Sequence, residues 1–127
     1  MRKLIGFLVL QILVLTPAFA QDSEKTKKNK EFERILTEEE FVKQVVGKRL
    51  FYESGAVIVF LEDRTFGGGF SGSRVWGEWV WREDRMCHQM NIGEKRYKVE
   101  CKVPQIAKKK IRFIREDGSS YGVAKIK

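Results

Sequence analysis

Short strand-like segments separated by turns make up most of the chain after Gly47, and this spacing constrains the fold more than any other feature of the sequence. Turn residues recur about every ten residues, which is the spacing of an antiparallel meander. The predicted strands are residues 48–52, 56–61, 65–70, 74–82, 85–92, 95–103, 109–114 and 119–126. The sequence therefore predicts a mainly β fold, an antiparallel eight-strand meander that forms a small barrel or a sandwich.

One short helix is predicted before the first strand. Thr37 and Glu40 have the spacing of a capping box, in which the threonine hydroxyl accepts a hydrogen bond from the amide of Glu40. An apolar stripe at the spacing of one helix face follows, formed by Phe41, Val42, Val45 and Val46. Gly47 favours the left-handed conformation that ends a helix. We therefore expect an amphipathic N-terminal helix of about ten residues.

Residues 1–20 have the three parts of an export signal. Arg2 and Lys3 are basic, residues 4–15 are almost uniformly apolar, and residues 18–20 form a small-x-small cleavage sequence. The apolar run is shorter than the roughly 20 residues of a membrane-spanning helix, and no cysteine follows it directly that could carry a lipid. We expect cleavage between Ala20 and Gln21 and a soluble periplasmic or secreted product without a transmembrane anchor. A retained membrane anchor is the alternative.

Cleavage would leave 107 of the 127 residues, which is enough for one domain. Residues 21–35 are rich in charge and poor in apolar side chains, so we expect a flexible tail before a single β-rich domain at 36–127. Loss of Arg2 and Lys3 lowers the formal net charge from +8 to +6. The remaining basic residues are interspersed with acidic ones, which is typical of a solvated surface. We expect a monomer with no nucleic-acid partner, and the sequence names no other partner.

Cys87 and Cys101 are the only cysteines of the sequence, and an even count in an exported protein favours a disulfide. If residues 93–95 form a three-residue hairpin loop, Ile92 faces Arg96 and Cys87 lies directly opposite Cys101. Opposed Cβ atoms are about 4.5–5.5 Å apart, which is close enough for a bond after small adjustments. The closed loop of about 15 residues would contribute roughly 3 kcal/mol to stability. Two cysteines cannot supply the four ligands of a structural zinc site.

Residues 67–72, Gly-Gly-Gly-Phe-Ser-Gly, fit the dinucleotide-binding pattern G-x-G-x-x-G. That pattern holds a pyrophosphate only where a strand precedes the glycines and a helix follows them. Residues 74–81 have the pattern of a strand instead. We interpret the glycines as positions where a strand bends sharply or passes under an aromatic ring. No nicotinamide or other cofactor is expected.

Three tryptophans lie on the predicted strand 74–82, and two of them share a face. The register assumed for the cysteines places two amide side chains on the strand face that also carries a tyrosine. An apolar concavity with a few polar groups is typical of a ligand site. The residues of this hypothetical ligand cup are Trp79, Trp81, Gln89, Asn91 and Tyr97. The alternative is that the indoles simply fill the core of a small barrel.

Met86, His88 and Met90 alternate along one strand, so their side chains share one face. Thioethers with an imidazole are ligands that suit monovalent copper, and these three residues form the metal site of an alternative hypothesis. The neighbouring strand brings charged residues of the segment 98–102 to the same face. The other interpretation is therefore that the three side chains pack beneath lysine stems, with no metal bound.

The sequence contains no arrangement that indicates catalysis. His88 is the only histidine, and both cysteines are expected to be oxidised, which removes a thiol nucleophile. The acidic pairs at 62–63 and 116–117 lie at predicted turns, where acidic residues are common. No serine has the context of a nucleophile elbow. We therefore predict a non-catalytic binding or envelope-accessory protein.

Residues 77–87 contain the pattern G-x-W-x-W-x5-C, which runs from Gly77 to Cys87. Further parts of the same pattern are residues 41–50, 67–70 and 111–113, together with Tyr97 and Cys101. The whole resembles a group of small exported bacterial proteins of unknown function, whose members often have an aromatic residue at the position of Met86. Some members carry a dihydrodipicolinate reductase label, so the resemblance implies such an enzyme as a further alternative. It implies no catalytic residues, and that enzyme needs a nucleotide-binding half and a substrate half, for which this chain has no room.

Overall fold

A computed structural model describes residues 32–127, and these form a closed antiparallel β-barrel of eight strands with one short helix. The predicted export signal and residues 21–31 of the predicted tail lie outside the described residues. The elements are β1 Glu33–Arg34, α1 Glu38–Gln44, β2 Arg49–Tyr52, β3 Val57–Phe60, β4 Thr65–Phe70, β5 Ser73–Arg82, β6 Arg85–Ile92, β7 Lys95–Arg96, β8 Glu100–Ala107, β9 Lys110–Ile114 and β10 Ala124–Ile126.

The barrel closes by pairing neighbours along the chain. Strands β2 to β6 pair in chain order, β6 pairs with β8, and β8, β9 and β10 lead back to β2. The two-residue strands β1 and β7 are accessory pairs on β8 and β6. The predicted eight-strand meander is thus confirmed, and it forms a barrel instead of a sandwich. Closure leaves the eight barrel strands without a free edge in the sheet.

The helix begins at its predicted cap, but with seven residues it is shorter than the predicted ten and ends at Gln44. Thr37 is the N-cap, and its hydroxyl accepts a hydrogen bond from the amide of Glu40 at 3.2 Å. The Glu40 carboxylate accepts from the side chain of Gln44 at 2.9 Å, so that carboxylate bonds one turn ahead along the helix. Gly47 follows the helix with a φ of 83°, which a glycine adopts without strain. Its amide donates to the carbonyl of Phe60 at 2.7 Å and so joins the end of the helix segment to the barrel.

Because the strands run alternately up and down, the turns fall at two ends of the barrel. The closed end is defined by α1 with the turns at 61–64, 83–84 and 108–109. The open end is defined by the turns at 53–56, 71–72 and 93–94 with the loop 115–123. Ion pairs of Arg64 with Glu38 and of Arg34 with Asp84 connect the N-terminal segment to turns of the closed end.

The domain starts earlier than the sequence predicted. Glu33 and Arg34 pair with Ile106 and Gln105 of β8, and Ile35 is fully buried in the core. Leu36, the predicted first ordered residue, is 56% exposed. The charged composition of residues 21–35 obscured the role of Ile35, the buried residue that anchors the last part of this segment.

Pro104 lies inside β8, although the sequence predicted a connector at 104–108. Its carbonyl accepts a hydrogen bond from the amide of Ile35 at 2.9 Å, while Phe113 of β9 is its partner on the other side. The nitrogen and carbonyl of one strand residue point to the same side. The missing N–H of Pro104 therefore faces the short accessory strand and not β9, so the barrel ladder loses no bond to it. The predicted strand 119–126 is shorter than expected, because residues 119–123 belong to a loop that contains Gly122 with a φ of 107°.

The disulfide closes the seam of the barrel between β6 and β8. Cys87 and Cys101 are bonded and directly opposed, with Cα atoms 3.9 Å apart, as the sequence predicted. The predicted loop beside them is wrong, since Ile92 pairs with Lys95 across a two-residue turn. An extra residue in the segment 97–99 restores the register before Glu100, which pairs with His88.

Candidate functional site

A cavity of about 360 Å³ occupies the open end of the barrel. Its walls come from the inward faces of β2 to β6, β8 and β9, and its rim comes from the turns and loops of that end. The lining residues are Tyr52, Ser54, Ala56, Ile58, Phe60, Phe66, Phe70, Val75, Met86, His88, Met90, Ile92, Tyr97, Lys102, Phe113 and Tyr121. A cavity of this size is within the range of small-molecule sites, which is roughly 300–1,000 Å³.

Aromatic rings form the floor of this cavity and separate it from the closed end. The ring centroids of Phe60 lie 5.3 Å from Phe66 and 5.8 Å from Phe113, and all three residues are buried. On the other side of this floor, Phe41 of α1 lies 5.7 Å from Phe60 and 6.4 Å from Phe113. The helix thus packs against the floor on the side opposite the cavity.

His88 is a buried polar group on the cavity wall. It is 6% exposed, its ring meets Phe66 edge to face at 5.9 Å, and its Nδ1 has no hydrogen-bond partner. Burial lowers the pKa of His88 to about 4, the ammonium of Lys102 lowers it further, and the Glu100 carboxylate opposes the shift. The imidazole is therefore neutral at physiological pH. A buried and unpartnered nitrogen in a cavity is a hydrogen-bonding group that a bound molecule can satisfy.

Lys102 is a second buried polar group beside His88. It is 6% exposed, and its Nζ lies 3.7 Å from the Glu100 carboxylate and 4.6 Å from the ring centre of Tyr121. Burial lowers the pKa of Lys102 to about 8, with the Glu100 carboxylate opposing and the Arg115 guanidinium adding to the shift. The ammonium form still predominates at neutral pH. Lys102 thus brings a positive charge to an otherwise apolar wall.

The Glu100 carboxylate lies closer to the guanidinium of Arg115 than to the ammonium of Lys102. Arg115 donates a hydrogen bond to the Glu100 carboxylate at 2.7 Å, and its guanidinium stacks over Tyr121 at 4.9 Å. Although partial burial opposes it, this bond helps to keep the pKa of Glu100 below its usual value, and it raises the pKa of Arg115. Tyr52, on the opposite wall, is also uncharged, because burial raises its pKa to about 12.

The predicted ligand cup does not form as a single surface. Trp79 and Trp81 point into the barrel, but at its closed end, where their rings lie 5.3 and 5.6 Å from that of Phe41. Their indole N–H groups donate to the carbonyls of Leu61 and Glu83, both at 2.9 Å. Of the five predicted cup residues, only Tyr97 lines the open-end cavity. The two indoles belong to the packed floor region, as the alternative interpretation held.

The two predicted cup amides lie on the opposite face of β6. Gln89 pairs with Glu78 and Asn91 with Trp76, whereas the inward residues of β5 pair with the intervening positions of β6. The amides bond to each other at 3.1 Å, and Gln89 also donates to the carbonyl of Tyr97 at 3.2 Å. The two amides therefore satisfy each other's hydrogen-bonding groups, and Gln89 also bonds to the backbone beside the bulge at 97–99. The expectation that they share a face with Trp79 is wrong.

The hairpin of β5 and β6 indicates correctly which side chains of β6 point into the barrel. A two-residue turn at 83–84 places Trp79 opposite His88 and Trp81 opposite Met86, and the structure has this register. The prediction used the turn at 93–95 instead and did not include the bulge at 97–99, so it placed Tyr97 on the face of Gln89 and Asn91. A shift of one residue moves a side chain to the other face. Tyr97 in fact lines the cavity with His88 and Lys102, which were therefore missed as its neighbours.

Met86, His88 and Met90 line one wall of the cavity, side by side on β6. Lys102 pairs with Met86 on the neighbouring strand and brings its ammonium to the same wall. Among residues 32–127 there is no group of three or more histidine, cysteine or acidic side chains that could hold a metal ion.

The glycine run has a structural role in β4. A Cβ on Gly68 would lie 1.8 Å from the carbonyl oxygen of Val57, so the backbone of β3 passes too close for any side chain. A Cβ on Gly77 would lie 2.7 Å from the ring of Phe66, which packs under β5 at this point. The residues after the run form β5, so these glycines do not open a helix N-terminus of the dinucleotide-binding kind.

A second concavity, of about 430 Å³, lies on the outer wall near the disulfide. Exposed charged residues such as Arg64, Glu78 and Arg82 form much of its lining. His88 borders this concavity as well as the open-end cavity, but Lys102 and most of the apolar side chains around His88 line only the latter. The open-end cavity is therefore the stronger candidate site.

Comparison of the chain with protein-family models, with curated proteins and with solved structures gave no match. In the part of the chain that the structure describes, no helix has the length and apolar character needed to cross a membrane. The cavity is therefore the feature from which a function can be inferred.

Proposed function

We propose that this protein is an exported, non-catalytic binding protein that holds an apolar small molecule in the open-end cavity. The export signal at residues 1–20 supports its delivery to the periplasm or the exterior. The observation that carries the proposal is the cavity: about 360 Å³ of space lined mainly by aromatic and aliphatic side chains, with two buried polar groups on one wall.

The distribution of packing within the barrel supports this function. An eight-stranded barrel has an interior that its own side chains can fill or that can hold one small ligand. Here Phe41, Trp79 and Trp81 fill the closed end, whereas the open end keeps space between Ile58, Phe70 and Ile92. Unfilled apolar space weakens a core, and its presence at the mouth of a barrel is typical of a binding site.

Titration with N-phenylnaphthylamine, a neutral apolar fluorophore, tests this proposal. We expect saturable enhancement of its emission by the mature protein. Ile58→Trp, which adds an indole inside the cavity, should weaken binding by about tenfold or more. Val59→Trp is the matched control, because Val59 is the next residue of β3 and points to the outer face.

Equal weakening by both variants, or no saturable binding to the wild-type protein, would contradict the proposal. Thermal unfolding of both variants shows whether either substitution acts through stability instead of occupancy.

Monovalent copper is a second candidate ligand, since Met86, His88 and Met90 line one wall and Nδ1 of His88 has no partner. The Lys102 ammonium on the same wall opposes a bound cation by direct repulsion. Titration with cuprous ion under anaerobic conditions tests this candidate. Binding that is lost in both Met86→Leu and Met90→Leu would support copper, and unchanged binding in these variants would exclude the site.

A further inference from the structure

Lys102 is the only charged side chain among the described residues that line the cavity. Its position is fixed from two sides, by the disulfide at the preceding residue and by the ring of Tyr121 at 4.6 Å. The Glu100 carboxylate forms an ion pair with Nζ of Lys102 at 3.7 Å, which is longer than a hydrogen bond. A buried ammonium without a close hydrogen-bonded anion is costly, and the cavity is the space in which such an anion can lie.

His88 adds a second polar group to the same wall, and its buried Nδ1 has no hydrogen-bond partner. His88 pairs with Glu100 and Lys102 pairs with Met86, so the imidazole and the ammonium come from neighbouring positions on β6 and β8. In the neutral tautomer that carries its proton on Nδ1, the imidazole donates one hydrogen bond. The ammonium and the Nδ1–H group then both offer donors to one acceptor group.

We propose that the ligand of this cavity is an apolar monocarboxylate, whose carboxylate accepts hydrogen bonds from Nζ of Lys102 and Nδ1 of His88. This inference rests on the proposed function, because it names the chemical class of the molecule in the same cavity. The aliphatic or aromatic body of the ligand lies against Ile58, Phe66 and Met90.

The charges around the site favour a head group with a single negative charge. Glu100 is bonded to Arg115 at 2.7 Å, so its charge is shared between two cations. Tyr52 and His88 face the same region without charge, and Asp117, beside Arg115, is exposed to solvent on the loop. One ammonium is then left to be neutralised, and one carboxylate neutralises it.

The experiment compares decanoate with n-decanol, which has the same apolar chain without the charge, by displacement of N-phenylnaphthylamine at neutral pH. We expect decanoate to bind about 10- to 100-fold more tightly than n-decanol, as charge-assisted hydrogen bonds do. Lys102→Met should remove this preference. Lys98→Met, which removes a positive charge from an exposed residue outside the cavity, should keep it. His88→Phe should reduce the preference several-fold.

The outcomes separate this inference from the proposed function. Displacement by decanoate and n-decanol with equal affinity, or a preference that survives in Lys102→Met, would overturn the carboxylate inference and leave the apolar site intact. Failure of the fluorophore to bind the wild-type protein would overturn both. Unchanged binding of the fluorophore to Lys102→Met and His88→Phe shows that these variants retain the cavity.

A pH series gives an independent readout of the same contact. Carboxylate binding requires the protonated ammonium, so decanoate affinity should fall above about pH 8, by up to about tenfold per pH unit. The affinity for n-decanol should stay constant over this range. A parallel decline for both molecules would contradict a direct contact with Lys102.

Discussion

The two ends of this barrel are built from the same strands, but their interiors are packed differently. At the closed end, α1 inserts Phe41 among Phe60, Trp79, Trp81 and Phe113, with ring centroids between 5.3 and 6.4 Å away. At the open end, the corresponding space is a cavity of about 360 Å³ beneath partly exposed side chains. The helix is therefore the element that makes one end a core and leaves the other available.

The two ends also differ in how completely their polar groups are hydrogen-bonded. The indole N–H groups of Trp79 and Trp81 at the closed end both donate to backbone carbonyls at 2.9 Å. At the open end, Nδ1 of His88 has no partner, and Lys102 lies 3.7 Å from its nearest carboxylate. Complete packing and complete hydrogen bonding coincide at the end that gives stability. Incomplete packing and incomplete hydrogen bonding coincide at the end that we assign to binding.

The largest expected effect is a loss of stability when a phenylalanine at the closed end is replaced by alanine, and the same replacement at the open end should cost much less. Phe41→Ala should lower the free energy of unfolding by about 3–5 kcal/mol, because it opens a cavity in a packed aromatic cluster. Phe70→Ala at the open end, where the ring is 37% exposed, should cost about 1 kcal/mol. Denaturant unfolding of both variants gives the two values. Similar values for the two positions would mean that the open end is as tightly packed as the closed end.

Loss of the disulfide should have the next largest effect. Replacing both cysteines by serine should lower the free energy of unfolding by about 3 kcal/mol, since the bond closes a loop with a sequence separation of 14. Decanoate binding should weaken as well, because Cys87 and Cys101 precede His88 and Lys102 in the chain. Reductant should affect the wild-type protein and leave the serine variant unchanged. A serine variant as stable as the wild-type protein would contradict the role of the bond at the seam.

The smallest of the three effects is pH-dependent and belongs to His88. Its pKa is about 4 in the folded protein against an ordinary value of 6.5, so the unfolded chain binds the proton first as the pH falls. This group should therefore cost the wild-type protein about 2 kcal/mol of stability at about pH 5 relative to neutral pH. His88→Phe should lack that part of the acid destabilisation.

Acidic residues also contribute at low pH, since the pKa values of Asp63 and Asp117 lie below their usual range. They are present in both proteins, so the difference between wild type and His88→Phe isolates the histidine. Parallel stability curves for the two proteins would contradict a buried neutral imidazole.

The sequence predicted the architecture well because its signals are local. Thr37 caps the helix, and the turns delimit most strands. Cys87 and Cys101 are opposed as predicted, because the extra residue at 97–99 compensates for a turn that is one residue shorter than expected. The start of the domain and the strand through Pro104 were wrong, because in both cases pairing between distant segments decides the outcome.

The candidate site was predicted less well than the fold. Its residues come from almost every strand, and their inward direction depends on the register of β6, which a bulge at 97–99 obscures from one side. Lys102 was not among the predicted site residues, because charged residues usually lie at the surface. An inward lysine breaks that pattern, and such exceptions are expected where a protein binds a ligand.

Methyl NMR of the mature protein during titration with decanoate tests the central claim most directly. The methyl groups of Met86, Met90, Ile58 and Ile92 report on the open-end cavity, and those of Ile35 and Val45 report on the closed end. We predict saturable shifts of the first four signals, with the signals of Ile35 and Val45 unchanged. Shifts confined to Val80 and Val99 on the outer wall, or equal shifts at both ends, would contradict a binding site inside the open end of the barrel.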